Sequence, residues 1–323
     1  MTDATSCVVV DMGGTQTRAA LCDAQGQILR RAVRPTPASQ SADQLMRHIE
    51  EAIEAVWPSQ EPVRAIGVAT PGPLDPWTGT ILHSPNIPGW DNFPLRQTLQ
   101  DRFGAPVVVA DDANAAALAE HRFGTHQRYG HLIFITISTG VGSGIIVDNR
   151  LLLGAHGLAA ELGHMTLQED SPIQCGCGSR GCLESLISGP SLAEQARQRL
   201  LAGEASQLTE LCHGDPATIT ASLVGAAALN GDALAIELFH RAGYYLGVAL
   251  TNLLYILNPE IIIVGGSVSK VGPLLLDPAR AVLRRRCMDY YWKDTPIVPS
   301  TLGDDVGLLG AWCLVNPLVD VKD

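Results

Sequence analysis

The sequence is short of cationic runs, of long apolar stretches and of the common nucleotide fingerprints. Its 323 residues carry 22 Lys and Arg against 33 Asp and Glu, a formal charge of −11. No extended Lys/Arg-rich segment offers the electrostatic footprint that a nucleic-acid backbone or an anionic membrane surface requires. No stretch approaches the roughly 18 uninterrupted apolar residues of a membrane span. The N-terminus runs at once into Cys7-Val8-Val9-Val10-Asp11, with no basic region, no apolar region of signal length and no cleavage site. These absences lead to the expectation of a cytoplasmic protein with neither nucleic acid nor membrane among its partners. No Gly-Lys-Ser/Thr occurs, which excludes a Walker loop. Gly140, Gly142 and Gly144 are spaced G-x-G-x-G, not G-x-G-x-x-G, which excludes a Rossmann fingerprint.

What is present suggests two α/β domains. A chain of this length with 46% hydrophobic residues fits two cores better than one. A strand, glycine turn, strand, turn, strand pattern occurs twice. The first copy has the apolar run Val8 to Val10, the turn Asp11-Met12-Gly13-Gly14-Thr15, the run Arg18 to Cys22, the turn Asp23 to Gly26 and a run from Gln27. The second has Leu132 to Ile137, the glycine segment Ser138 to Gly144, Ile145 to Val147, the turn Asp148-Asn149 and Leu151 to Leu153. Glycines at such turns permit positive φ and let backbone N–H groups approach an anion. Each turn alone reads as a hairpin; their recurrence about one domain apart favours a pair of phosphate cradles.

A third glycine element follows Ile261 to Val264, an apolar run too short for a helix that ends in Gly265-Gly266. It reads as a buried parallel strand whose carboxyl end opens on a ligand crevice. Ala233 to Leu257 has helical spacing and stops at Pro259. Pro106 to Ala110 reads as a strand, and Asp111-Asp112-Ala113-Asn114 opens an alanine-rich helix through about Phe123. An Asp there serves either as a simple N-cap or as the carboxylate that orients an attacking hydroxyl in phosphoryl transfer and accepts its proton. The helix N-terminus would keep Asp112 ionised.

Of eight cysteines, Cys175, Cys177 and Cys182 crowd into one loop, downstream of Glu161-Leu162-Gly163-His164. Three thiolates and one imidazole make a closed four-coordinate structural zinc site, with His164 or His156 as the fourth ligand. Such a zinc staples a loop and activates no water. Glu161 and Glu184 bracket this loop, where carboxylates can accept paired hydrogen bonds from sugar hydroxyls. Ser84-Pro85-Asn86-Ile87-Pro88-Gly89-Trp90 is a polar-aromatic loop able to supply an amide.

Taken together these elements resemble the ROK family of bacterial sugar kinases and sugar-responsive repressors, in family order along nearly the whole chain: Asp11 to Thr15, Asn86 to Trp90, Asp112 to Glu120, Ser138 to Gly144, Glu161 to His164, Cys175 to Glu184, and Gly265-Gly266. The resemblance implies an actin-like, ribonuclease-H-like ATPase fold of two α/β domains that close on ATP and a hexose. It implies Asp112 as catalytic base, and sugar contacts from Asn86, Glu161, His164 and Glu184, with His164 also on zinc. It implies phosphate contacts from Gly13, Gly14, Thr15, Thr139 and Gly140, Asp11 acting through Mg²⁺, and Gly265 and Gly266 against the nucleoside. The family often has Asn before its catalytic Asp, contributing a sugar contact, where this chain has Asp111; the extra charge could raise the pKa of Asp112. The family also tends to have Gly where this chain has Ala160.

The implied activity is ATP-dependent phosphorylation of a hexose, glucose first, with N-acetylmannosamine, N-acetylglucosamine, fructose and allose as alternatives. A repressor of the same family would need a DNA-binding segment before Asp11, which leaves no room for one, and a silent sugar-binding module would be expected to lose Asp112 or a glycine turn. The expected domains are a small lobe over residues 1–113, with a C-terminal helix at about 304–323 packed back on it, and a large lobe over 114–303 carrying the zinc loop. A homodimer or tetramer follows from the same resemblance.

Overall fold

The structure is a computed structural model and describes residues 6–36, 41–83, 90–125 and 129–316. The chain runs β1 (Ser6–Met12), β2 (Gln16–Cys22), β3 (Ile28–Pro35), α1 (Ala42–Val56), β4 (Val63–Thr70), β5 (Leu74–Asp75), β6 (Thr80–Ile81), α2 (Leu95–Phe103), β7 (Val107–Asp111) and α3 (Asp112–Phe123). It continues through β8 (Leu132–Ile137), β9 (Val141–Val147), β10 (Arg150–Leu151), α4 (Leu183–Ile187), α5 (Gly189–Leu201), α6 (Leu208–Leu211), α7 (Ala221–Leu229) and α8 (Ala233–Leu257). It closes with β11 (Ile261–Gly265), α9 (Pro273–Arg286), α10 (Asp289–Trp292), β12 (Ile297–Pro299) and α11 (Val306–Val315). Two five-stranded sheets carry the same order, β3-β2-β1-β4-β7 and β10-β9-β8-β11-β12. This is the repeated ribonuclease-H-like arrangement of an actin-like ATPase.

Two compact units emerge, one of Met1–Gly130, Gly144–Ala160 and Thr301–Asp323, the other of His131–Ser143 and Glu161–Ser300. In the first, β1 pairs antiparallel with β2 and parallel with β4, which pairs parallel with β7. Val8, Val10 and Met12 alternate onto the face covered by Ile49 and Ile53 of α1 and Leu99 of α2. The opposite face packs on α11, whose buried Leu308, Ala311 and Trp312 give it no polar stripe. Small residues along α3 admit α11, so α3 counts with the first unit, which extends past residue 113. The helix at the chain's end spans Val306–Val315; residues 317–323 of the longer expected segment lie outside the described residues.

In the second unit β11 runs parallel to β8 and to β12, and its five residues are all buried. Helix α8 buries Leu238, Leu246, Leu250 and Leu254 at helical spacing and packs on α9. A short cationic triplet, Arg284-Arg285-Arg286, closes α9, where positive charge meets the negative end of the helix dipole. The absence of Lys/Arg runs therefore holds only for longer segments. Strand β9 starts at Val141, four residues earlier than a glycine turn through Gly144 would allow. Gly144 lies within the strand and its glycine serves packing, since a Cβ there would stand 2.5 Å from Ala117 Cβ of α3. No single helix among the described residues is long and apolar enough to cross a membrane.

Candidate active site

The first unit brings its candidate residues to one edge of a sheet. Strands β1, β4 and β7 are mutually parallel, with Asp11 opposite Ala69 and Thr70 opposite Asp111, so Asp11 and the Asp111-Asp112 pair lie at carboxyl ends, where ligands of α/β sheets bind. Asp111 is the N-cap of α3: its Oδ1 accepts from the N–H groups of Ala113 at 3.0 Å and Asn114 at 3.3 Å. Such a cap is worth about 1 kcal/mol. The capping duty thus falls to Asp111, and the half-buried Asp112 is the first residue of the helix itself. Asn caps as well as Asp, so the departure from the family's Asn keeps the local structure.

Asp11 ends β1 beside the first glycine turn. Burial raises its carboxyl above the ordinary range, and the Arg18 guanidinium at 3.6 Å opposes that rise. Arg18 also donates to the Asp304 carbonyl at 2.6 Å. The turn closes through Gly13 N–H donating to the Gln16 carbonyl at 2.9 Å, and Thr36 holds it from the side, its hydroxyl on the Gly13 carbonyl at 2.9 Å and its N–H on the Thr15 carbonyl at 2.8 Å. Gly13 is half-buried; Gly14 and Thr15 are exposed.

The second unit holds the second turn, the third glycine element and the cysteine loop. Ser138 N–H donates to the Gly140 carbonyl at 2.8 Å, and the Ser138 carbonyl accepts from Gly189 N–H, also at 2.8 Å, which leaves Thr139 exposed at the tip. The Ser138 and Ser267 hydroxyls meet at 3.0 Å, joining this turn to the Gly265-Gly266 element. Gly266 has φ +89, and a Cβ on it would strike the Ile137 backbone at 2.2 Å. Among the glycines assigned to phosphate or nucleoside it alone has positive φ; Gly13, Gly14, Gly140 and Gly265 do not. Gly13, Gly140 and Gly265 therefore serve through their absent side chains and not through left-handed backbone, and a side chain on Gly14 would meet open space.

His164, Cys175, Cys177 and Cys182 converge, with one ligand atom from each lying within 4.8 Å of the others. His164 Nδ1 is 3.7 Å from Cys175 Sγ, and Cys177 Sγ is 3.7 Å from Cys182 Sγ. His156, the other candidate ligand, is not in the group. Burial pushes the Cys175 thiol up to about 12, whereas the Ser179 backbone N–H helps pull the exposed Cys177 down. Glu184 sits in α4, two residues after Cys182. Its Oε1 is 3.6 Å from Cys175 Sγ and its Oε2 accepts from Val141 N–H at 2.9 Å. Burial also raises the Glu161 carboxyl, with His164 opposing and Glu184 adding to the rise.

Asn86 lies outside the described residues. Ala160 has φ +71, which accounts for the family's preference for Gly at that position. Sequence reasoning missed Arg18, Ser267 and Val141, whose contacts join segments far apart in the chain.

The sequence model of the ROK family matches residues 7–317. A glucokinase of Thermotoga maritima is 34% identical over 307 residues, 95% of this chain and 96% of its own length. A crystal structure of a ROK family glucokinase from Streptomyces griseus in complex with glucose and AMPPNP is 38% identical, with a TM-score of 0.83 over 95% of this chain and 97% of that one. A ROK family transcriptional regulator, a homolog of the E. coli Mlc protein, is 29% identical with a TM-score of 0.86, covering 97% of this chain and 78% of that one.

Proposed function

This chain belongs to the ROK family, and from that premise we propose that it transfers the γ-phosphoryl group of ATP to a hexose, glucose first. The observation that carries the reading is the relative solved with glucose and AMPPNP, similar over nearly the whole of both chains.

Asp112 orients the attacking hydroxyl and accepts its proton late, as the bond to phosphorus forms in a largely dissociative transition state. Glu161, Glu184, His164, Asn86 and Asp111 hold the sugar hydroxyls. The backbones of Gly13, Gly14 and Thr15, and of Thr139 and Gly140, cradle the phosphates, and Gly265 and Gly266 admit the nucleoside. The Asp11 carboxylate, beside the Gly13 turn, would act on Mg²⁺, a cation held by few carboxylates together with substrate phosphates and waters. When bound with the nucleotide, Mg²⁺ supplies charge neutralisation on its phosphates.

The cysteine loop fits a structural zinc. Thiolates about 2.3 Å from a tetrahedral centre stand about 3.8 Å from one another, and the spacing of Cys177 and Cys182 is 3.7 Å. Cys175, Cys177, Cys182 and His164 would hold the ion with no open position, so its contribution is to fix the loop. A partner set of hexose and nucleotide without nucleic acid agrees with the formal charge of −11. Cytoplasmic location and a homodimer or tetramer complete the proposal.

The test is an ATP-dependent coupled assay over glucose, N-acetylmannosamine, N-acetylglucosamine, fructose and allose, compared as kcat/KM. The highest value is expected for glucose. A different preferred sugar would revise the substrate, and no ATP-dependent turnover with any hexose would remove the kinase reading.

A further inference from the structure

Val141, the first residue after the second glycine turn, is gripped on both sides. Its N–H donates to Glu184 Oε2 at 2.9 Å. Its carbonyl oxygen lies 2.0 Å from where a Cβ on Gly163 would stand, so only glycine fits there without moving Val141. The same Glu184 oxygen lies 2.7 Å from the position of a Cβ on Gly140, inside the turn itself. Both gripping segments are anchored in the Cys/His cluster. Gly163 immediately precedes His164, and Glu184 stands in α4, whose N-cap is Cys182. The segments also pair with each other, through the Thr166 to Cys182 bridge and Leu183 N–H donating to the Met165 carbonyl at 2.9 Å.

We infer that the Cys/His cluster is a positioning device for the nucleotide turn. By fixing Gly163 and Glu184 it clamps Val141, and through Val141 it sets the backbone of Ser138, Thr139 and Gly140. Glu184 and Gly163 act here as positioning residues, in addition to any contact of Glu184 with the sugar. This rests on the phosphate role proposed for Thr139 and Gly140. A loop that only stiffened the sugar side would have no reason to hold the first residue of β9. The motif glycine at position 163 likewise has a specific cause, since any side chain would displace the Val141 carbonyl.

The experiment measures the Kd of Mg²⁺-AMPPNP by calorimetry, without sugar, for the wild-type protein, Glu184→Gln, Glu184→Ala and Gly163→Ala, each with its bound metal quantified. Both Glu184 variants lose a carboxylate, but Gln keeps an acceptor for Val141 N–H. The expected result is nucleotide affinity near wild type for Glu184→Gln and weakened about tenfold for Glu184→Ala, the scale of one lost hydrogen bond. Gly163→Ala, which retains every ligand and carboxylate, is expected to weaken it by at least as much. Should Gly163→Ala fail to fold, the Glu184 pair decides. Equal losses in Gln and Ala would assign the effect to the missing charge and overturn the inference. So would nucleotide affinity within about twofold of wild type in both Ala variants. Wild-type protein that binds no nucleotide would instead sink the kinase reading itself.

Discussion

A Cβ on Gly307 would stand 2.4 Å from Cγ of Asp11, so the absence of a side chain in the first turn of α11 is what leaves room for the carboxylate at the end of β1. Arg18 holds the same carboxylate from the other strand of the hairpin. Gly307→Ala must therefore move Asp11. We expect kcat to fall about a hundredfold, the cost of misplacing a charged group by roughly 1 Å, with glucose affinity by calorimetry unchanged. Wild-type kcat in this variant would show that the Asp11 position does not matter to the reaction.

Asp112→Asn keeps the size of the side chain and the start of α3, because the capping bonds come from Asp111. Sugar binding should stay within about an order of magnitude while kcat drops by roughly two to four decades, the range of a lost general base. A near-normal kcat, measured at saturating glucose and ATP, would put the base elsewhere.

Ala160 occupies the left-handed region at φ +71. The strain of an L-residue there is about 1–2 kcal/mol, and the extra unfolded-state entropy of glycine offsets about 0.4–1 kcal/mol of it. Ala160→Gly should raise stability by about 0.5–1 kcal/mol, read as a higher denaturant midpoint. A lower midpoint would contradict the backbone geometry at this residue.

Freshly purified protein should hold about one zinc per chain, the number a single four-ligand site takes. Chelation should release Cys175, Cys177 and Cys182 to a thiol reagent. Cys7, Cys22 and Cys313 are buried, and burial pushes their thiols up to about 11, 12 and 12. They should react only on unfolding, since the thiolate is the reactive form. Zinc-free protein, or full thiol reactivity before chelation, would remove the metal from the account.

The parts legible in the sequence were those that local chemistry determines. Helix α8 spans Ala233–Leu257, as its periodicity and Pro259 require, and α11 spans Val306–Val315. The Cys/His group follows from ligand chemistry alone, and His164, not His156, lies beside the three cysteines. Strand β9 was harder, because glycine in a sequence signals a turn and close packing equally. Gly144 serves packing on α3, while the turn ends before Val141. The order of the Asp111-Asp112 pair was also hidden: either could cap α3, and only the backbone register at the end of β7 decides it. Arg18 with Asp304, and Gly307 with Asp11, are separated by nearly the whole chain, so no local pattern announces them.

The most direct test of phosphoryl transfer to a sugar is to follow wild-type protein with ATP, Mg²⁺ and glucose by ³¹P NMR. The account predicts a sugar phosphomonoester growing in step with ADP, one for one. ADP and inorganic phosphate appearing with no sugar phosphate, or ATP persisting unchanged, would contradict it.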